Sequence, residues 1–127
     1  MNIKTRIIKL YERQAFHPNW FFGPLLNPFF IARKKLIQGI KEMACDFRGG
    51  LLLDVGCGSK PYEDLFDVKE YIGIDIEVSG HDHLHSKIDK FYDGKKIPFE
   101  DEKFDWIFSS EVFEHVFNLE EILEEIY

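Results

Sequence analysis

Cysteine is scarce in this chain. Two residues, Cys45 and Cys57, among 127 exclude a disulfide scaffold, and Cys57 sits between glycines in a tight loop, a poor place for a bridge. A reducing, cytoplasmic setting is expected. A long hydrophobic run is also lacking. The longest apolar stretch, residues 20–32, is broken by Gly23, Pro24, Asn27 and Pro28, so no transmembrane segment is expected. The first residues mix polar and apolar side chains, unlike a signal peptide. Positive charge is in deficit: 16 Lys and Arg face 23 Asp and Glu, a net charge of −7. With no basic stripe, no nucleic-acid partner is expected. Repeats and low-complexity segments are absent.

What is present is a composition able to build a core. Hydrophobic residues make up 45% of the chain, which suits one globular domain. Thirteen of the residues are Phe, enough for a packed core and an apolar binding surface besides. Residues 3–15 place Ile3, Ile7 and Leu10 at helical spacing. Residues 16–29 hold three of the five prolines and predict an irregular link. Residues 30–46 return to helical spacing through Ile31, Leu36, Ile37, Ile40 and Met43, until Arg48-Gly49-Gly50 ends the helix.

The pattern changes at residue 51. LLLDV (51–55) and YIGID (71–75) are short apolar runs of the kind found in strands buried on both faces. Residues 88–92 and FDWIFSS (104–110) predict two more strands. Pro61, Glu63 and Asp64 suit the first turn of a helix, and residues 111–126 read as helical, with Val112, Val116 and Leu119 in register. Strands alternating with crossovers imply an α/β fold, a doubly wound and mostly parallel sheet. The expected division is a helical, aromatic cap over 1–48 and a nucleotide-binding domain over 49–127.

The chemistry concentrates in GCGSKP, after the first strand. Gly56 and Gly58 let the backbone bend and let a ligand approach it closely around Cys57. In open parallel sheets ligands bind beyond the carboxyl ends of the strands. Asp75 ends the next strand, about 20 residues on, where a carboxylate can accept hydrogen bonds from ribose hydroxyls. Asp93 with Gly94 follows the third strand, where a carboxylate can accept from an adenine amino group. A dinucleotide cradle would need a third glycine where Pro61 stands, and GxxxxGK[ST] is missing. Asp54 beside the loop would repel a pyrophosphate and attract an ammonium group.

LDVGCGSKPY, YIGIDI and FYDGKKIPFEDEKFDWIFSSEVFEHV together resemble class I, Rossmann-like S-adenosylmethionine-dependent methyltransferases, over residues 51–127. The resemblance implies S-adenosylmethionine as cofactor. Gly56, Cys57 and Gly58 would line its methionine end and Asp54 would help hold its amino group. Asp75 would bind the ribose with Ile76 beside the adenine, and Asp93 and Gly94 would meet the adenine. Ser109, Ser110 and Glu111 would close the pocket floor. The family sheet runs 3-2-1-4-5-7-6, and residues 77–87 read as loop where the family has a helix. Only the first four strands, in order 3-2-1-4, are expected here, so the domain reads as truncated, or as a homodimer covering the exposed edge.

Methyl transfer from a sulfonium depends mainly on holding the reactants in line. No catalytic residue is assigned. His115 is a candidate base, weighed against an ordinary surface histidine. His81, His83 and His85 alternate, yet a solvated loop explains them better than a metal site, and no metal is expected. The aromatic stretch 16–30 suits packing, a cover over the cofactor, an apolar acceptor, or weak docking at a membrane surface; a small molecule, a lipid or a glycan is the expected acceptor. The alternative function is a module that holds S-adenosylmethionine or S-adenosylhomocysteine without turnover.

Overall fold

The computed structural model of the chain describes residues 3–21, 24, 27–77 and 87–127. Two compact units emerge, residues 1–46 and residues 47–127.

The first unit holds helices α1 (Ile3–Phe16) and α2 (Phe30–Ala44). The proline-rich link between them is tied down by Asn27, whose amide donates to the carbonyls of Gln14 and Ala15 at the end of α1. Its Oδ1 accepts from the N–H of Phe29 at 2.9 Å, so one side chain serves the end of one helix and the start of the next. In α2 the buried face is Phe30, Ile37, Ile40 and Ala44, which fall in line at helical spacing. Ile31 and Met43, expected on that face, are exposed, because Ile31 lies a quarter turn away from Phe30. Ile7 and Leu10 of α1 are exposed as well. Gln14 is buried instead, its Oε1 accepting from the N–H of Asn19.

The second unit is built on a four-stranded sheet. Its strands are β1 (Leu51–Val55), β2 (Glu70–Ile76), β3 (Lys90–Tyr92) and β4 (Trp106–Phe108). They run parallel in the order β3-β2-β1-β4, the order expected. Gly49 and Gly50 precede β1 at positive φ, the left-handed turn that only glycine adopts freely. Register decides which side chains share a face. Leu53 pairs with Ile72 and Ile107, and Ile76 with Tyr92. These side chains, with Val55 and Ile74, form the apolar face. It is covered by Ile97, Phe99 and Phe104, and by Phe113, Val116, Ile122 and Ile126 further on.

The connections are shorter than expected. In place of a helix after Pro61 there is one 3₁₀ turn, Glu63–Leu65. Residues 111–118 are not helical beyond a 3₁₀ turn at Phe113–His115, and α3 spans only Leu119–Ile126. Ile122, not Leu119, is the side chain α3 buries. Residues 78–86, with His81, His83 and His85, lie outside the described residues. No helix among the described residues is long and apolar enough to cross a membrane.

Candidate functional site

The opposite face of the sheet carries Leu52, Asp54, Tyr71, Gly73, Asp75 and Phe108, by the same register. Aromatic rings cover part of it: Phe66 lies 4.9 Å from Phe108 and 5.7 Å from Tyr71, ring centre to ring centre. Toward the carboxyl ends of the strands this face turns polar. There the loop that follows β1 folds back over β2.

Two backbone hydrogen bonds start that fold. The N–H groups of Gly56 and Cys57 both donate to the Ile74 carbonyl, at 2.8 and 3.1 Å. Gly56 takes φ of +79° and Gly58 of +51°. Behind Gly56 stands Val112, so close that a Cβ there would overlap its Cγ2 methyl. Around Gly58 nothing lies within 4 Å of where a Cβ would be. Its N–H donates to Asp75 Oδ2 at 2.9 Å, while Asp75 Oδ1 accepts from the Ile76 N–H at 2.8 Å. The glycine loop and the Asp75 carboxylate, one residue before the end of β2, therefore lie side by side.

Asp54 is buried beneath them, and Tyr71 donates its hydroxyl to Asp54 Oδ2 at 2.6 Å. Burial pushes the Asp54 carboxyl up to about 7, against the lowering pull of the Tyr71 hydrogen bond and the Lys60 charge. The Cys57 thiol is likewise pushed up to about 12, by burial and by the carboxylates of Asp54 and Asp75. It is an uncharged packing group at neutral pH.

Beside this pair is a cation that sequence reasoning passed over. Lys60 is buried, with a left-handed backbone at φ +53°. Its ammonium donates to the Tyr71 carbonyl at 3.2 Å and to Asp89 Oδ2. The same Asp89 oxygen accepts from the Gly73 N–H at 2.6 Å. Burial works to raise the Asp89 carboxyl, but the Gly73 and Lys60 hydrogen bonds outweigh it and hold it below its usual value. A Cβ on Gly73 would lie 2.6 Å from Lys60 Cε, so only glycine leaves room for the lysine to cross β2. Asp89→Asn should destabilise the fold by about 2–3 kcal/mol, since it strands a buried ammonium. Asp89 is half exposed, so the loss is smaller than for a fully buried pair. Urea unfolding measures it, and an unchanged midpoint would show that Lys60 does not need this partner.

The remaining expected residues line the same edge of the sheet. Asp93 follows β3 and is exposed. Its Oδ1 accepts from the N–H groups of Lys95 and Lys96, both at 2.9 Å, bonds that hold its carboxyl below the usual range. Gly94 has φ of +79°, and a Cβ there would touch Ile76 Cγ2 at 3.4 Å. Burial raises the Tyr92 hydroxyl, and the charges of Asp75 and Asp93 raise it further. Ser109 donates to the Val55 carbonyl at 2.9 Å, binding the end of β4 to the end of β1. Ser110 is half-buried, and Glu111 is exposed with φ of +59°. His115 is exposed in its 3₁₀ turn. A concavity of about 500 Å³ borders the edge at Tyr92, Asp93, Ile97 and Phe99. It reaches the Asp93 end of the site and not the glycine loop. Among the described residues no group of three or more His, Cys, Asp or Glu side chains is placed to hold a metal ion.

The second unit thus joins a parallel sheet of order 3-2-1-4 to a glycine loop hydrogen-bonded to the acid of the next strand. The family model for a methyltransferase domain matches residues 53–127. The chain belongs to the class I S-adenosylmethionine-dependent methyltransferase family. The match thus starts inside β1 and takes in Asp54, the glycine loop, Asp75 and Asp93. No match is found among curated proteins.

Proposed function

We propose that this methyltransferase domain binds S-adenosylmethionine across the carboxyl ends of β1, β2 and β3 and transfers its methyl group to an acceptor. The observation that carries the reading is the Gly58–Asp75 hydrogen bond, which sets bare backbone and an acid side by side. The open space at Gly58 is what close approach of a ligand needs. Each Asp75 oxygen accepts one backbone N–H and retains a further lone pair for a ribose hydroxyl. Asp54 would face the ligand ammonium. The acids at 54, 75 and 93 suit a cationic ligand and oppose a pyrophosphate, which argues against a nicotinamide cofactor.

The bound cofactor supplies an electrophilic methyl on a sulfonium whose leaving group is neutral. What the chain contributes is orientation and exclusion of water. Asp75 fixes the sugar, the 56–58 turn fixes the amino-acid tail, and Gly94 with Ile76 offers an apolar surface to the base.

Asp75→Ala should weaken binding of S-adenosylhomocysteine by about 1–3 kcal/mol, as ribose hydroxyls lose their acceptor. Titration calorimetry on wild type and variant measures this, with circular dichroism to check the fold. Unchanged affinity in a folded variant would remove Asp75 from the site, and tight NAD binding would overturn the cofactor. Methylation assays with labelled S-adenosylmethionine on small molecules, lipids, glycans and proteins separate an enzyme from a module that only binds.

A further inference from the structure

The whole-chain charge of −7 conceals two opposite halves. Residues 1–46 carry eight Lys and Arg against three Asp and Glu, a net +5, while residues 47–127 carry eight against twenty, a net −12. The basic half also displays large apolar side chains. Trp20 is 80% exposed, Phe21 84%, Phe29 70% and Ile31 72%, with Ile7 and Leu10 of α1 more than half exposed. Trp20 and Phe29 belong to one region, because the Trp20 ring packs against Phe30, 5.7 Å between centres, and Phe29 directly precedes α2. Ile31, Lys34 and Lys35 follow in the first two turns of α2, all exposed.

We infer that this unit docks on an anionic lipid bilayer, its aromatic tip entering the headgroup layer and its lysines and arginines meeting lipid phosphates. Aromatic and aliphatic side chains beside Lys and Arg are the features of interfacial binding, and no helix among the described residues is long and apolar enough to span a bilayer. Tryptophan favours that zone because its ring is apolar and its N–H finds partners there. The net +5 complements an anionic surface. Nucleic acid fits less well, since Ile7, Leu10 and Ile31 cannot stack on bases as rings do. The inference does not depend on what the cleft binds.

The test is sedimentation of the full chain with phosphatidylcholine vesicles, with and without phosphatidylglycerol. Binding is expected to the anionic vesicles, with little to the neutral ones, and should weaken at about 0.5 M salt. Trp20→Ser with Phe21→Ser, and separately Lys34→Glu with Lys35→Glu, should each lower partitioning roughly tenfold. Both pairs are exposed, and circular dichroism checks that the fold survives. In a Trp106→Phe background, Trp20 emission should shift to the blue on anionic vesicles only. No binding to anionic vesicles overturns the proposal, as does loss in the charge variant alone, which would leave bare electrostatics. A concentration-dependent dimer abolished by the Trp20 and Phe21 changes also overturns it, as does binding to single-stranded nucleic acid in place of vesicles.

Discussion

Gly56→Ala should destabilise the protein by about 2–5 kcal/mol. Two costs combine. An alanine at φ of +79° is held in the left-handed region, at about 1–2 kcal/mol. Its Cβ would overlap the Val112 Cγ2 methyl and lie 3.0 Å from Cγ1, which is overpacking worth about 1–3 kcal/mol. Val112→Ala in the same chain removes the crowding methyls and leaves the backbone cost. The double variant should therefore recover part of the loss, a non-additivity that double-mutant cycles in urea detect. Equal stability of Gly56→Ala and wild type would show that Val112 does not close over the loop. The consequence for function is direct. Gly56 permits the segment after β4 to pack against the turn whose next glycine meets Asp75.

The second large effect concerns Asp54 and pH. Its carboxyl rises from an ordinary 3.8 to about 7 on folding. Near pH 5–6 the folded protein keeps a proton on Asp54 that the unfolded chain has already released. The resulting stabilisation is complete below about pH 4 and is lost as pH climbs to about 7. It is worth up to about 4 kcal/mol, at 1.36 kcal/mol for each unit of pKa. Asparagine cannot titrate, yet its Oδ1 can still accept the Tyr71 hydroxyl. Asp54→Asn should therefore gain stability relative to wild type between pH 4 and pH 8, by as much as about 4 kcal/mol. Asp89 and Asp93, whose carboxyls are held low, push the other way in both proteins and cancel in the comparison. Unfolding midpoints measured across that range decide the matter. A difference between the two proteins that stays constant with pH would mean that Asp54 is ionised throughout.

Much of the sheet was legible because buried parallel strands leave a simple trace. LLLDV and YIGID are apolar on both faces, and β1 and β2 fall where those runs stand. The position of Asp75 beside the glycine turn was legible too, since strand length holds an acid near the end of β2 at a fixed distance from that turn. The helices were less so. The 3₁₀ turn at Glu63–Leu65 replaces a helix that Pro61, Glu63 and Asp64 would equally have begun. Helix-start residues say where a turn begins, and contacts further along decide whether it continues. Lys60 carried no signal at all, because a lysine in a glycine-rich loop is nearly always solvated.

Pattern along the chain determined a parallel α/β sheet with acids and glycines at its carboxyl edge, while the strand order came from resemblance to a family. Those features are local, written in apolar runs and turn residues that neighbours in sequence share. Tertiary structure alone decided that Gly58 donates to Asp75, that Val112 needs Gly56 bare, and that Lys60 crosses Gly73 to reach Asp89. Each joins residues 13 or more positions apart in the sequence, and burial sets its strength. Neither the partner nor the solvent exposure of a side chain is written at its own position in the chain.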